Sequence, residues 1–289
     1  MSTTVDNGHL TREWQAWIAE NLARGCEVST MTEIMVRNHF DANMARNSIA
    51  RMQQGALGSV QQDKPAPTQY VYDTPRFPAV GNVIHTPDRV VRVSTRLFKP
   101  VVAVLDDLLS SAECDELIRL SRIKLKRSTI VDPTTGQEAV IDARTSSGTF
   151  FARNETGFIA TLERRIAAAM HWPAEHGEGL QILNYQVGAE YKAHYDYFPV
   201  ADPGSAVHLA KGGQRVSTLV MYLNDVEAAG ETLFPEVDLS VTPKKGSAVY
   251  FEYCNSQGQV DPLTLHCGVP VAAGEKWIAT KWMRQGRYE

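Results

Sequence analysis

Glu190-Tyr-Lys-Ala-His-Tyr-Asp-Tyr-Phe198 is the stretch on which the reading of this chain turns. It sets His194 and Asp196 two residues apart in a run that reads as a strand, and side chains at i and i+2 of a strand share a face. An imidazole and a carboxylate that project together can serve one ion, although a His-x-Asp pair by itself is more often structural. A third candidate, His266, stands far downstream in Leu263-Thr-Leu-His-Cys-Gly268. On its own it could equally be a satisfied core histidine. Two imidazoles and one carboxylate on one face, with coordination positions left open, form the donor set of non-haem ferrous oxygenases.

The segments around this stretch are serial short strands. Leu180–Val187, Arg215–Leu223, Glu231–Phe234, Ser247–Tyr253 and Trp277–Met283 are separated by Gly, Pro, Asn and Asp turns. Many short strands at regular spacing indicate a sandwich or jelly roll, which can bring His194 and His266 together. Upstream, Val90–Val93 and Val101–Leu105 read as strands. Ser110-Ser-Ala-Glu113 is a capping box that opens an amphipathic helix through about Arg122. Leu125–Val140 reads as a hairpin with a mobile tip at Asp132-Pro-Thr-Thr-Gly136, and Arg144–Phe151 as a strand with a polar entry. Phe158–Met170 carries Ile159, Leu162, Ile166 and Met170 on one helical stripe.

The first part of the chain differs in character. Trp14, Trp17, Ile18 and Leu22 recur at helical spacing, with Gly25 as a stop. Met31, Ile34 and Met35, then Ala42, Ala45 and Ile49, predict two more helices around a turn at Asn38-His-Phe40. This pattern resembles ubiquitin-associated-like modules, whose second and third helices flank a Met-Gly-Phe turn. Arg37-Asn-His-Phe40 lacks that glycine, and a packing or dimerisation appendage is the plainer reading. Gly55, Gly58, Pro65, Pro67, Pro75, Pro78, Gly81 and Pro87 mark a linker or docked strap, with Tyr70, Tyr72 and Phe77 favouring a strap. The expected organisation is a helical module over 1–54, a linker or strap over 55–87, and a catalytic domain over 88–289.

Composition bounds the function. The chain has 289 residues with 43% hydrophobic and 21% charged content, ordinary for a globular protein with a substantial core. A formal charge of −4 argues against nucleic-acid binding through bulk electrostatics. The first 21 residues carry Asp6, Glu13 and Glu20 and lack the apolar core of a signal peptide. No run reaches the ~18 apolar residues of a membrane span. Cys26, Cys114, Cys254 and Cys267 form no CxxC pair, so the expectation is a reducing, cytoplasmic setting with thiols as small core residues.

From about Arg89 to Arg287 the sequence resembles the prolyl 4-hydroxylase family of the Fe(II)/2-oxoglutarate-dependent dioxygenases. The resemblance is carried in order by Arg144-Thr-Ser-Ser-Gly148, Tyr185–Phe198 and Gly212-Gly-Gln-Arg-Val216. It continues through Met221-Tyr-Leu223, Gly230-Glu-Thr-Leu-Phe-Pro235, Pro243-Lys-Lys-Gly246, Asp261–His266 and Gly274–Trp282. It implies an α+β, β-rich fold: a double-stranded β-helix, or jelly roll, with buttressing helices. It assigns His194, Asp196 and His266 as iron ligands and Lys276 as the partner of the far carboxylate of 2-oxoglutarate. Tyr185 and Thr232 match hydroxyl donors to that carboxylate. Tyr191, Arg215, Arg144 and Trp282 match positions along the substrate channel.

The activity so implied is hydroxylation of a prolyl residue in a peptide or protein. It is coupled to oxidative decarboxylation of 2-oxoglutarate to succinate and carbon dioxide, consumes dioxygen, and is supported by ascorbate. Three rivals have distinguishing features. A nucleic-acid demethylase of the superfamily would usually hold 2-oxoglutarate with arginine and carry basic patches, against Lys276 and net acidity. A free amino-acid hydroxylase differs in loops that set substrate size. A peptide-binding module with a vestigial pocket would have no physical reason to keep His194, Asp196, His266 and Lys276 together.

Overall fold

The computed structural model describes residues 5–6, 9–23, 26–38, 40–58 and 70–289; Gly25, His39 and the stretch 59–69, with Pro65 and Pro67, lie outside it. Two compact units are present, 1–69 and 70–289.

In the first unit, helices Arg12–Ala23, Val28–Arg37 and Ala42–Gly58 enclose a small core of Ile18, Met31, Met35, Phe40, Ala45 and Ile49. Trp14 packs edge-on against Trp17 and Phe40. Asp41 caps the third helix by accepting from the Asn43 and Met44 amides. Two expectations need correction. Ile34 faces outward, because Met31 and Met35 already fill the buried stripe of its helix. The third helix also runs to Gly58, past the point at 55 where composition suggests a linker.

The second unit is built on a nine-stranded antiparallel sheet. Its order is Val83–His85, Val90–Phe98, Val101–Asp106, Ala248–Glu252, Arg215–Tyr222, Lys276–Arg284, Leu180–Tyr185, Ser147–Phe151 and Lys126–Arg127. Facing it is a four-stranded sheet ordered Tyr191–His194, His266–Gly268, Thr232–Phe234 and Leu239–Val241. This is the jelly roll the sequence implies.

Strand alternation explains why the central strands read as largely apolar runs. Leu180, Ile182, Leu219, Met221 and Ala279 turn to one face, where Leu117 and Ile159, Leu162 and Ile166 pack from helices Ser111–Arg122 and Gly157–Ala169. Leu183, Tyr185, Val220, Tyr222, Phe251 and Ile278 turn to the other, against Phe234, Val241 and Val271. Side chains alternate to two faces that are both buried, so apolar residues dominate and the few polar ones, such as Gln181 and Thr218, are buried too. Each fully buried aliphatic side chain contributes ~1.5–3 kcal/mol.

The helices are fixed by named contacts. The Ser110 hydroxyl accepts from the Glu113 amide while the Glu113 carboxylate accepts from the Ser110 amide, completing the capping box. Arg165, buried in the second helix, donates to Glu113 and to Asp88, each at 2.6 Å. The cap of one helix is thereby tied to the body of the other.

The segment from Tyr70 lies against this unit as a strap. Its Phe77 is buried and stacks on Tyr250, its Phe77 amide donates to Glu252, and Arg76 lies 3.5 Å over the Trp172 ring. The strap then enters the large sheet as Val83–His85, inside the range that composition suggests is linker. Among the described residues no helix is long and apolar enough to cross a membrane.

Ile166→Ala, which opens a cavity at a fully buried position, should cost about 2–5 kcal/mol in urea unfolding. Ser110→Ala, which removes one cap, should cost about 1 kcal/mol. Equal losses in the two variants would contradict this assignment of core and cap.

Candidate active site

Between the two sheets lies a cavity of about 500 Å³. Its walls follow from strand parity. Lys276, Ile278, Thr280, Trp282 and Arg284 alternate along one strand and all line it. Tyr185 sits opposite Lys276 in the neighbouring strand. A register shift between Arg215 and Ser217 turns Arg215 toward the cavity, opposite Arg284.

His194 and His266 face each other directly across paired strands. Asp196 joins them, but not for the reason the sequence suggests. The strand ends at His194 and the backbone bends at Asp196, so shared strand parity does not align the pair. The segment is instead held at Phe198, whose amide and carbonyl are both bonded by the Gln214 side chain. Ligand atoms of His194, Asp196 and His266 all lie within 4.8 Å of one another.

Each imidazole is oriented by its own backbone. His194 Nδ1 lies 2.8 Å from the Lys192 carbonyl and His266 Nδ1 lies 3.0 Å from that of Thr264. A carbonyl only accepts, so Nδ1 carries the hydrogen and Nε2 keeps its lone pair. Both Nε2 atoms lie 3.7 Å from Asp196 carboxylate oxygens. Burial and the neighbouring His266 push the His194 pKa down to about 3, so it is neutral, as a ligand must be. Burial pushes the Asp196 carboxyl up, but His266, His194, Arg215 and the Thr218 hydroxyl outweigh it and hold it at about 2. Two imidazoles that present Nε2 inward and one ionised carboxylate fit ferrous iron.

Lys276 is 2% exposed. It makes no hydrogen bond or ion pair among the described residues; its ammonium faces the rings of Tyr185 at 5.5 Å and Tyr222 at 5.9 Å. Burial pulls its pKa down to about 8. Thr232 is buried beside it, and its hydroxyl oxygen accepts from the Tyr222 hydroxyl at 2.8 Å, leaving its own hydrogen to donate. A buried cation without a counter-ion, flanked by hydroxyls, fits a dicarboxylate's far end.

The four residues placed along the substrate channel all line the cavity, with different freedom. Tyr191 stacks on His194 at 3.5 Å, and Arg144 lies 4.7 Å over Tyr191. Arg144 donates to the Thr129 carbonyl and to Gln181, while its Nε has no hydrogen-bond partner among the described residues. Arg215 is committed to Glu178 through two bonds and lies 4.0 Å over Trp282. The buried Trp282 Nε1 has no hydrogen-bond partner among the described residues.

The hairpin tip expected to be mobile is docked. Gly136 adopts φ +71°, and a Cβ there would meet the Gly204 carbonyl at 2.6 Å. The Gly204 amide donates to Pro133, and His208 Nε2 donates to the Gly136 carbonyl. The tip and the helix Ser205–Leu209 thus roof the cavity together.

Several residues of the site were given no role by the sequence. Thr218 donates to Asp196 at 2.7 Å with Tyr253 behind it at 3.0 Å, and Tyr222 braces Thr232. Glu178 and Arg284 also belong here. Strand parity with Trp282 could have flagged Arg284; the hydroxyls have no sequence signal beyond an apolar strand.

A family model described as the 2OG-Fe(II) oxygenase superfamily matches residues 180–284. Probable prolyl 4-hydroxylase 3 of Arabidopsis thaliana is 40% identical over 211 residues, covering 66% of this chain and 72% of that protein. The chain belongs to the prolyl 4-hydroxylase family. Prolyl 4-hydroxylase 1 of the same plant is 42% identical over 203 residues, covering 65% of this chain and 70% of the relative. The viral collagen prolyl hydroxylase of Paramecium Bursaria Chlorella virus-1, solved with 2-oxoglutarate, aligns with TM-score 0.50 and 29% identity. That alignment covers 63% of this chain and 95% of the viral one. As a member of this family, the protein is an Fe(II)/2-oxoglutarate-dependent dioxygenase.

In this prolyl 4-hydroxylase family member, the depressed Lys276 pKa has a thermodynamic signature. The folded chain binds fewer protons than the unfolded one between about 8 and the ordinary lysine value of 10.5. The cost of burying the ammonium is therefore fully present below pH 8 and is relieved as the pH rises past 10. Lys276→Met should stabilise the ligand-free protein by on the order of 3 kcal/mol at pH 7, with the gain shrinking toward pH 10.5. Urea melts across that range check it; a destabilised variant would mean the ammonium has a partner.

Proposed function

We propose that this chain hydroxylates a prolyl residue within a peptide or protein segment, with 88–289 as the catalytic domain. In this reading His194, Asp196 and His266 hold the iron, and Lys276, Tyr185 and Thr232 hold the far carboxylate of 2-oxoglutarate. Ascorbate serves as the supporting reductant.

The observation that carries the substrate assignment is the pair of buried donors without partners, Arg144 Nε and Trp282 Nε1, in the cavity wall. Unpaired buried donors are costly unless something accepts from them. The carbonyls of an extended peptide are acceptors of that kind. The cavity also continues past the metal donors to Ile130, Pro133, Phe150 and Tyr288, more wall than a free amino acid would use. A proline-rich segment is already extended, so it loses little entropy on docking against aromatic walls such as Tyr191 and Trp282.

Bound ferrous iron, with 2-oxoglutarate and dioxygen, supplies an oxidant that places one oxygen atom into a C–H bond as 2-oxoglutarate becomes succinate. The chain's own residues do the rest. The Lys192 and Thr264 carbonyls keep both imidazoles in the tautomer that presents Nε2 inward. Thr218, itself braced by Tyr253, fixes one Asp196 oxygen. Tyr191, clamped between Arg144 and His194, limits the approach to the metal side. The docked 132–136 tip and the helix at 205–209 exclude water.

The test is incubation with Fe(II), 2-oxoglutarate and a panel of proline-rich peptides, followed by mass spectrometry. A gain of one oxygen atom on proline is the expected result. Efficient hydroxylation of free proline with every peptide ignored would favour the amino-acid hydroxylase instead. Lys276→Ala should raise the 2-oxoglutarate requirement while Fe(II) still binds, because a charge-assisted bond contributes about 1.5–3 kcal/mol. Thr218→Val should lower Fe(II) affinity about 10–100-fold in equilibrium dialysis. Deleting residues 133–136 should reduce peptide turnover yet leave uncoupled 2-oxoglutarate decarboxylation largely intact.

A further inference from the structure

The strand Lys276–Arg284 enters the cavity at Lys276 and leaves it at Arg284. Arg284 is 2% exposed. Its Nε donates to Glu178 Oε1 at 2.6 Å, and its Nη1 donates to the carbonyls of His208 at 3.0 Å and Gly213 at 2.7 Å. The same Glu178 oxygen accepts from Arg215 Nε at 2.6 Å, and the second oxygen accepts from Arg215 Nη2 at 2.8 Å. Arg215 Nη1 then reaches the main-chain carbonyl of Asp196 at 3.3 Å. Two guanidinium groups therefore share one buried carboxylate. One of them holds the roof segment, and the other touches the backbone of a metal donor.

Phe198 fills the angle between them. Arg215 and Arg284 lie 4.8 Å and 4.9 Å over its ring, and His208 stacks parallel to it at 5.0 Å. His208 also donates to the hairpin tip at Gly136. The roof is thus connected to Asp196 by packed, hydrogen-bonded groups without a gap. A core whose only task was stability would be served as well by apolar residues of similar volume. Placing two arginines and a glutamate here instead gives direction: planar, bidentate bonds fix angles that packing does not.

We propose that Arg284 is a positioning residue for the hydroxylation: it ties the roof segment 204–213 to Asp196 through Glu178 and Arg215, so that roof closure and donor geometry are set together. This inference rests on the reading of the site given above. When Arg284 is lost, the roof loses two carbonyl anchors and Glu178 loses one of its two cations. Arg215 is then free to settle deeper on Glu178 and away from the Asp196 carbonyl. The expected consequence is a site that still consumes 2-oxoglutarate but times it poorly to the substrate.

Arg284→Met and Arg284→Lys, with wild type, test this in the protein loaded with Fe(II) and 2-oxoglutarate. Three quantities are read: amide hydrogen exchange over 199–213, the anaerobic visible band of the loaded enzyme, and succinate formed per hydroxylated peptide. In Arg284→Met, exchange over 199–213 should rise at least tenfold, the band should shift, and succinate per product should at least double. Arg284→Lys, which keeps the charge on Glu178 but not the fork to both carbonyls, should fall between. Faster exchange with the band and the ratio at wild-type values would make Arg284 a structural anchor only and overturn the proposal, as would no change in any of the three. If Arg284→Met does not fold, the lysine variant decides by the same criteria. If the wild type hydroxylates no peptide, the substrate reading fails separately, and the band and the exchange still decide the role of Arg284.

Discussion

A nine-residue strand, Lys276–Arg284, lies within the large sheet with every residue buried, and three of those residues are basic. Burying charge is tolerated only with a partner, and the strand meets this demand differently on its two faces. Facing the helices, the Lys281 ammonium donates to Glu163 at 2.7 Å. Facing the cavity, Arg284 is paired with Glu178, whereas Lys276 makes no hydrogen bond or ion pair among the described residues and faces the rings of Tyr185 and Tyr222. The strand therefore divides its cations into two with carboxylate partners and one that has none among the described residues. That division places the anionic end of the site at one strand terminus and the roof at the other.

The three candidate metal donors obey a second geometric condition. His194 and His266 come from strands far apart in sequence and meet because antiparallel register sets them directly opposite. Asp196 enters from a bend instead of a strand, held by Gln214 from behind and by Thr218 in front. Precision at the site thus depends on the polar residues Gln214 and Thr218 behind the donors, and both are buried.

Much of this was legible in the sequence. The Ser110 capping box and the Ile159, Leu162, Ile166 and Met170 stripe are local patterns, and local patterns need no knowledge of the partner. The five downstream strands were legible because alternation and turn residues bound them. Asp196 was legible as a donor but not in its placement, since sequence spacing says nothing of where a strand stops. Thr218, Tyr222 and Tyr253 were invisible for a related reason. A hydroxyl in an apolar strand reads as a packing residue until the pairing of distant strands shows what it faces. The tip at 132–136 read as mobile from its turn composition, but its hold on Gly204 and His208 is non-local.

The strap at 70–78 bears on where the chain can be cut. Sequence similarity to the family begins near Arg89, which invites a catalytic fragment starting there. Such a fragment would uncover the Tyr250 ring, remove the guanidinium cover from Trp172, and strip Glu252 of the Phe77 and Arg76 amides that it accepts from. It would also lose the edge strand Val83–His85, leaving Val90–Phe98 with an unpaired row of backbone donors and acceptors. An aromatic patch beside an open sheet edge is a surface prone to self-association. A fragment meant to stay monomeric should begin at Tyr70, where the compact unit itself begins.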